Sequence, residues 1–578
     1  MADVELAALP PPANDLSPPA AAPPDEGGRG GDGDDDDDED EAWSSPFDHL
    51  GILLCFVGGI GQVLRFPYYF YIYGGGAFLL AHLLLLVLFG IPLLLLESFV
   101  GQFTSSSSIA VYSPYPAFKG IGIATCLVMA LTAPCIAVSI GYALLYLVYS
   151  FSYVHLWGFC DNAWNTGLCV DMVTSNMSQG YMVVPAFEFY TRFILAAPGG
   201  GLSWPQSFAA LLVWVIVFLA LFCGVKVLGK VMWVTAGTSL VLLIVMFLRG
   251  VTLPCAWGGI RHLVQFDGHS LLDYNTWGFA SANILYTYFF GFGIYTTLGS
   301  FSHFRHSFLR DVLAVSAASF AMEILSAIAV WSVLGYLMCA MGIPMEEATS
   351  TGAYLIYGTL PQALCKTSQP MLWSALFFLM MFLLAISSFI VLVQVLVAIV
   401  STGLRRWCRK RWLLVLAVCG PGFCISLVYC SEKGGEWLSL VDGFAAIVTP
   451  LVVCLLEVIV FVYIYGAGRL ARDVEMLSNT FVSYYCYFTW IATVPLVLLL
   501  ILASHLLMMI RSSMYFLAIS TTLAIPIFSL FYVFRSVFCK MLQGAATPWG
   551  PKAPRDRAAW ERFCAERPVR RRFFHRRF

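Results

Sequence analysis

The residues best placed to do chemistry in this sequence act through their backbone. In GGIGQVLRFPYYFYIYGGGAFLL (residues 58–80), Gly58, Gly59 and Gly61 surround Ile60, and Gln62 and Arg65 follow inside an apolar run. A second run, TYFFGFG, sets Gly291 and Gly293 just past Phe289 and Phe290. A helix broken at membrane depth exposes N–H and C=O groups, which can hold an anion and a cation without charged side chains. Single glycines in membrane helices also serve close packing. Paired interruptions at corresponding positions of two halves point instead to the central site of a transporter. No metal-ligand spacing, phosphate-binding loop or nucleophile triad accompanies them, so the pattern is not that of an enzyme.

Such runs require membrane helices to position them. The chain is 59% hydrophobic and 11% charged, whereas soluble domains are about a quarter charged. Apolar stretches of spanning length are expected at 47–71, 75–100, 122–154, 206–223, 231–250, 278–301, 309–340, 370–402, 411–430, 439–465, 480–508 and 513–535. Twelve spans put both termini on one side, and the interruptions fall in spans one and six. These positions correspond if spans one to five and six to ten are two repeats. Arg305, Arg310, Arg405, Arg406, Arg409, Lys410, Arg411, Arg469 and Arg472 all fall on the side of the termini, which marks it as cytosolic. Residues 155–205 form a large extracellular loop with Cys160, Cys169 and the sequon Asn176-Met177-Ser178. A disulfide and an N-glycan both require that side. The remaining cysteines are expected to be small core residues. Residues 1–42, Pro/Ala-rich and then acidic through DGDDDDDEDE, read as a disordered cytosolic tail without a signal peptide. Residues 536–578 end in RRRFFHRRF and read as a basic cytosolic tail suited to anionic lipid head groups rather than nucleic acid.

The motifs resemble those of the neurotransmitter:sodium symporter family, solute carrier family 6. They are GQVLRFPY (61–68), YGGGAF (73–78), GIP (90–92), LLESFVGQF (95–103), CDNAWNTGLC (160–169), GVKVLGKV (224–231), RGVTLPCAW (249–257), FFGFG (289–293), SVLGY (332–336) and YGAGRLARDVEML (465–477). The resemblance covers roughly residues 43–535. It implies an all-α membrane protein of twelve helices, with two inverted five-helix repeats, two further helices, and discontinuous helices one and six.

What the resemblance implies for single residues is specific. Arg65 and Asp442 match the pair that closes the outer gate, and such a pair also has a structural reading, since a lone buried Arg is costly. Tyr286 matches the aromatic lid, while Ile136 stands where a substrate-contacting tyrosine is usual. Gly59 matches carriers of amino acids, where relatives for monoamines have aspartate. With Ile60, Gly61, Phe289 and Phe290 it would line the substrate, though the two phenylalanines could equally pack in the core. Sodium at a first site would take Gln62, Thr287, Ser319 and the Val57 carbonyl. Gln62 stands where an asparagine is usual. A second site would take the Cys55, Gly58 and Leu383 carbonyls and Ser387, weakened by Ile386, which has no side-chain oxygen. His82, Asn283, Thr287 and Glu323 occupy the chloride position, and a carboxylate there marks members that work without chloride. The alternative is a protonated Glu323 hydrogen-bonded in the packing. At the cytosolic gate, Asp40, Ser401 and Phe301 replace the usual arginine, aspartate and tyrosine. The expected function is sodium-coupled, chloride-independent transport of a small amino-acid-like solute, in the plasma membrane or vesicles. The alternative is a transport-inactive or ion-leaking protein of the same fold acting as a binding or assembly partner.

Overall fold

The structure, a computed structural model, describes residues 43, 45–152, 156–169, 183–195, 201–341, 352–404, 410–442, 446–478, 484–510 and 549–567, with isolated residues between 527 and 535. The 1–42 tail with Asp40, the sequon at Asn176, Arg405, Arg406 and Arg409, most of the expected last span and the RRRFFHRRF end lie outside the described residues. Among the described residues regular structure is helical, and extended segments meet only in isolated bridges.

Among the described residues, ten helices are long and apolar enough to cross a membrane: Phe47–Leu64, Gly76–Thr104, Pro116–Ser150, Trp204–Phe222, Val227–Val251, Phe308–Met341, Pro370–Ser401, Arg411–Tyr429, Ala446–Ile464 and Tyr484–Leu506. Each coincides with an expected span. The expected sixth span is missing from this set because it is broken.

The first break follows from its residues. Helix α1 (Pro46–Val57) starts at a capping box, in which the Ser45 N–H donates to Asp48 Oδ2 at 3.1 Å. It packs tightly on the helix Val225–Val251, since a Cβ on Gly51 would meet Trp233 Nε1 at 2.5 Å. It ends at Gly58. The helical path resumes as one turn at Gly61–Leu64 and then as α2 (Phe66–Ile72). After the turn at Gly74 and Gly75 (φ +90° and +56°) the second span runs on into α3 (Ile91–Thr104), and the third is α4 (Lys119–Ser150).

The second break has a steric cause. Helix α5 (Tyr274–Tyr288), capped by Asp273, stops at Phe289, whose φ is +49°. Gly291 (φ +77°) and Gly293 (φ +67°) follow before α6 (Ile294–Ser300). A Cβ on Gly291 would lie 2.4 Å from the Pro450 carbonyl oxygen, and one on Gly293 2.5 Å from Ser108 Cβ. Both glycines are therefore required twice, for conformation and for close approach.

Long helices α7 (Phe308–Met341) and α8 (Pro370–Leu404) support both breaks, with α8 lying along α4. Helix α9 (Ala446–Val458) closes on α5 and α4, and α10 (Ala467–Ser478) follows it. Within the expected C-terminal tail, α11 (Pro554–Glu566) packs back against α10. Cys160 and Cys169 are disulfide-bonded, as is a second pair, Cys255 and Cys339. The second bond corrects the expectation that the remaining cysteines are only core residues. Cys255 follows the fifth span and Cys339 ends the seventh, so both stand at the face of the molecule that carries the 155–205 loop.

Candidate functional site

The breaks in spans one and six frame a buried polar centre, joined by α7 and α8. Glu323, one of its residues, is 1% exposed in mid-α7. Asn283 Nδ2 and Thr287 Oγ1, one turn apart on α5, both donate to Glu323 Oε1 at 3.1 Å. His82 Nε2 meets Glu323 Oε2 at 2.9 Å. The His82 Nδ1 atom is buried without a partner, so the ring makes its polar contact through Nε2 alone. Two donors and one imidazole thus converge on one carboxyl group, an arrangement that suits an anion. All four residues expected at the chloride position are brought together.

Beside that group lies Gln62, 2% exposed. Its amide nitrogen donates to the Val57 carbonyl at 2.9 Å and to Ser319 Oγ at 3.0 Å. Val57 offers only an acceptor, so the amide must present its NH2 side there. Three of the four residues expected at the first sodium position are directly linked, and Thr287 faces Glu323. A cation fits between Val57 and Ser319 only if the Gln62 amide turns over to present its oxygen. At the second position Ser387 donates to the Leu384 carbonyl at 3.1 Å and keeps its lone pairs, while Ile386 is buried. Cys55 donates its thiol to the Met232 carbonyl at 2.8 Å, which leaves its own backbone oxygen uncommitted by that contact.

The glycines differ in the room above them. A Cβ on Gly59 would lie 2.9 Å from Ser388 Oγ and 3.4 Å from the Phe56 carbonyl, whereas nothing lies within 4 Å of one on Gly61. Open space at the first break therefore lies over Gly61. Phe289 is half-buried with its ring 5.6 Å from Phe56. Phe290 is 1% exposed and packs among Phe89, Tyr288 and Tyr295. Ile136 is half-buried on α4.

On the disulfide-bearing side the centre is covered. Both Asp442 oxygens accept from Arg65, at 2.5 and 2.6 Å. The Arg65 guanidinium lies 3.5 Å above the Tyr286 ring, and the Tyr286 hydroxyl donates to the Asp442 carbonyl at 2.8 Å. An ion pair in which one guanidinium nitrogen meets both carboxylate oxygens, a cation–π contact and a hydrogen bond thus link spans one, six and ten. At the opposite end Trp43 caps α6, with its indole N–H donating to the Leu298 carbonyl at 3.3 Å and its ring edge-on to Phe301. Ser401 is turned to its own helix, donating to Ala398 at 2.7 Å.

Several contributors escape sequence reasoning. Ser326 donates to the Gln62 carbonyl at 2.8 Å, and its place one turn beyond Glu323 is the only signal for it. Ser388 abuts Gly59 and is marked only by its neighbour Ser387. Glu97, by contrast, is marked by the LLESFVGQF motif as a helix-packing acceptor, and it accepts the Gly291 N–H at 3.0 Å, which stabilises the second break from α3.

Two interrupted helices facing each other across a buried, hydrogen-bonded centre define a membrane transporter architecture rather than an enzyme. The chain belongs to the sodium:neurotransmitter symporter family, whose profile matches residues 40–540. It is 32% identical over 449 residues to the sodium- and chloride-dependent GABA transporter 2 of Bos taurus, covering 75% of each chain. It is 31% identical over 474 residues to the human sodium- and chloride-dependent taurine transporter, covering 79% of this chain and 76% of that one. The sodium- and chloride-dependent glycine transporter 2 of Xenopus laevis is 29% identical over 500 residues, which are 80% of this chain and 63% of that protein.

Proposed function

We propose that the protein is a sodium-coupled symporter of a small amino-acid-like solute, in which Glu323 supplies the negative charge that chloride supplies in its relatives. The observation that carries this reading is the convergence of His82, Asn283 and Thr287 on the Glu323 carboxylate. An ionised Glu323 would place a fixed negative charge beside Val57, Gln62 and Ser319. Such a charge lowers the cost of bringing a cation into a dry site. Sodium would take the Val57 carbonyl, the Ser319 hydroxyl and the turned Gln62 oxygen. The GABA, taurine and glycine transporters are chloride-dependent by name, and Glu323 is the residue that would set this chain apart from them.

Gly59 has no side chain to neutralise a substrate amine, and Gly61 has open space above it, which supports a solute bringing its own carboxylate to the first break. Arg65, Asp442 and Tyr286 would close the site from outside. The face with the Cys160–Cys169 bond is taken as extracellular and the termini as cytosolic, in the plasma membrane or in vesicles.

A second reading has its own support. The Gln62 amide already satisfies two of the oxygens that sodium would use, as a transport-inactive member of the fold would. One experiment separates the two. Purified protein in liposomes, given an inward sodium gradient, is screened with labelled amino acids in chloride and in gluconate. Uptake that needs sodium and is equal in both anions supports the symporter, and Glu323→Ser should then make uptake chloride-dependent. Steep chloride dependence of the unaltered protein overturns the role of Glu323, and no uptake of any solute favours the second reading.

A further inference from the structure

A second buried polar cluster lies away from the transport site, at the end of the molecule opposite the disulfides. His49 stands one turn into α1, His306 in the loop after α6, and Asp311 in the first turn of α7. Asp311 Oδ2 meets His49 Nδ1 at 2.9 Å and His306 Nε2 at 2.5 Å. One ligand atom from each residue lies within 4.8 Å of the others. Asp311 is fully buried, and His49 and His306 are 3% and 9% exposed. The two imidazole rings are 5.3 Å apart and nearly perpendicular, at 82°, so their edges converge and their faces do not stack. Asp311 Oδ1 is buried and accepts no hydrogen bond, with Arg310 Nε 3.7 Å away. The loop is held from α3, where Gln102 Nε2 donates to the carbonyls of His303, Phe304 and His306 at 3.1, 3.1 and 2.8 Å.

We propose that His49, His306 and Asp311 bind a divalent transition-metal cation of the zinc class, and that the bound ion clamps α1 to α7. Two imidazoles and one carboxylate form a borderline donor set that suits zinc, with the fourth position left to water. Bonds of about 2.0–2.2 Å in a tetrahedral shell set neighbouring donors about 3.3 Å apart. The two observed oxygen–nitrogen separations therefore need to widen by less than about 1 Å to admit the ion. A carboxylate with one oxygen crowded by two ring nitrogens, and the other reached only by Arg310 at 3.7 Å, is poorly served by hydrogen bonds alone. A cation shared with both rings satisfies all three groups.

The placement gives such an ion leverage. Helix α1 joins the rest of its span only through residues 58–60, so a tie near its far end decides whether it can tilt. Ser401, bonded to its own helix, provides no charge at that end. The clamp rests on the proposed function only for the direction it faces, the cytosolic side, and the binding itself does not depend on transport.

The test uses the full chain in nanodiscs, stripped with chelator and titrated with zinc against a chromogenic indicator, then with cobalt. Zinc binding is expected to fall by one equivalent in His49→Phe and in His306→Asn. The visible absorption band of tetrahedral cobalt should appear in the unaltered protein and be lost in both variants. His306→Asn alters a loop residue and keeps a polar side chain, so it reads the site even if His49→Phe fails to fold. Equal zinc binding and equal cobalt spectra in the unaltered and His306→Asn proteins would overturn the proposal. Hydrogen exchange in 46–57 should slow with zinc in the unaltered protein only; slowing that persists in His306→Asn would place the clamp elsewhere.

Discussion

At the scale of single residues, the decisive atom is the Gln62 amide nitrogen. A side chain one methylene longer than asparagine reaches from the first break to both the Val57 carbonyl and Ser319. Sodium bound as proposed would have to compete with these two hydrogen bonds, each contributing roughly 1 kcal/mol net. Gln62→Asn shortens the reach and frees both oxygens. The sodium concentration for half-maximal uptake, or for a sodium-induced rise in thermal midpoint, is then expected to fall by about tenfold, the equivalent of about 1.4 kcal/mol. An unchanged or raised value would show that Gln62 does not compete with the ion. The residue types at this centre are legible from the resemblance: Gln62 and Arg65 fall within GQVLRFPY, and Glu323 and Asp442 take the matching positions in spans seven and ten. Contact direction was not legible. That Phe290 turns into the scaffold, or that His49 meets Asp311 across 262 residues of chain, depends on how each helix is rotated against its neighbours. Periodicity sets a face, but packing sets the partner.

At the scale of elements, the two breaks rest on different physics, and their glycines should respond differently to the same substitution. Gly291 has φ +77° and the Pro450 oxygen 2.4 Å from its missing Cβ. Gly291→Ala must strain the backbone and push α9 away. A cost of about 2–4 kcal/mol is expected, read as a lower thermal midpoint and poor recovery of folded protein. Gly61 has nothing within 4 Å of its missing Cβ and an ordinary helical backbone. Gly61→Ala should leave the midpoint within about 0.5 kcal/mol of the unaltered protein, while its methyl enters the open space and depresses uptake. Equal losses of stability would show that the first break is also held by close packing. Both breaks could be found from the sequence because glycine runs interrupt otherwise unbroken apolar spans. The Cys255–Cys339 bond could not, since both residues sit at span ends and look like core cysteines until spans five and seven are seen side by side. That bond closes a loop between positions 84 residues apart. Replacing both cysteines with alanine is expected to cost about 2–4 kcal/mol, measured by thermal unfolding under non-reducing conditions.

At the scale of the whole molecule, residues 549–567 of the C-terminal segment pack as part of the scaffold. Trp549 is 9% exposed and packs its ring against Phe103, Phe461 and Tyr465. Trp560 sets its ring edge against Phe103 and donates its indole N–H to Asp473 Oδ1 at 3.0 Å, and Arg567 pairs with Glu475. Burial pushes the Asp473 carboxyl above its ordinary value, while the Trp560 and Tyr465 hydrogen bonds work against that rise. Phe103 also packs on Phe304, and its neighbour Gln102 holds the loop that carries His306. A continuous row of aromatic contacts therefore runs from the C-terminal segment to the loop beside α1. Peripheral segments of this kind open locally, without unfolding the core. Removing residues 549–578 should raise amide exchange in 467–478 and in 302–307, and leave exchange in α4 and α8 unchanged. Trp549→Ala, a change that costs about 3–5 kcal/mol when a buried tryptophan is fully packed, should reproduce most of that effect in the intact chain. Faster exchange confined to 467–478 would mean that the segment stabilises only α10. Faster exchange in both regions would make it a brace for the loop on which the end of α1 closes.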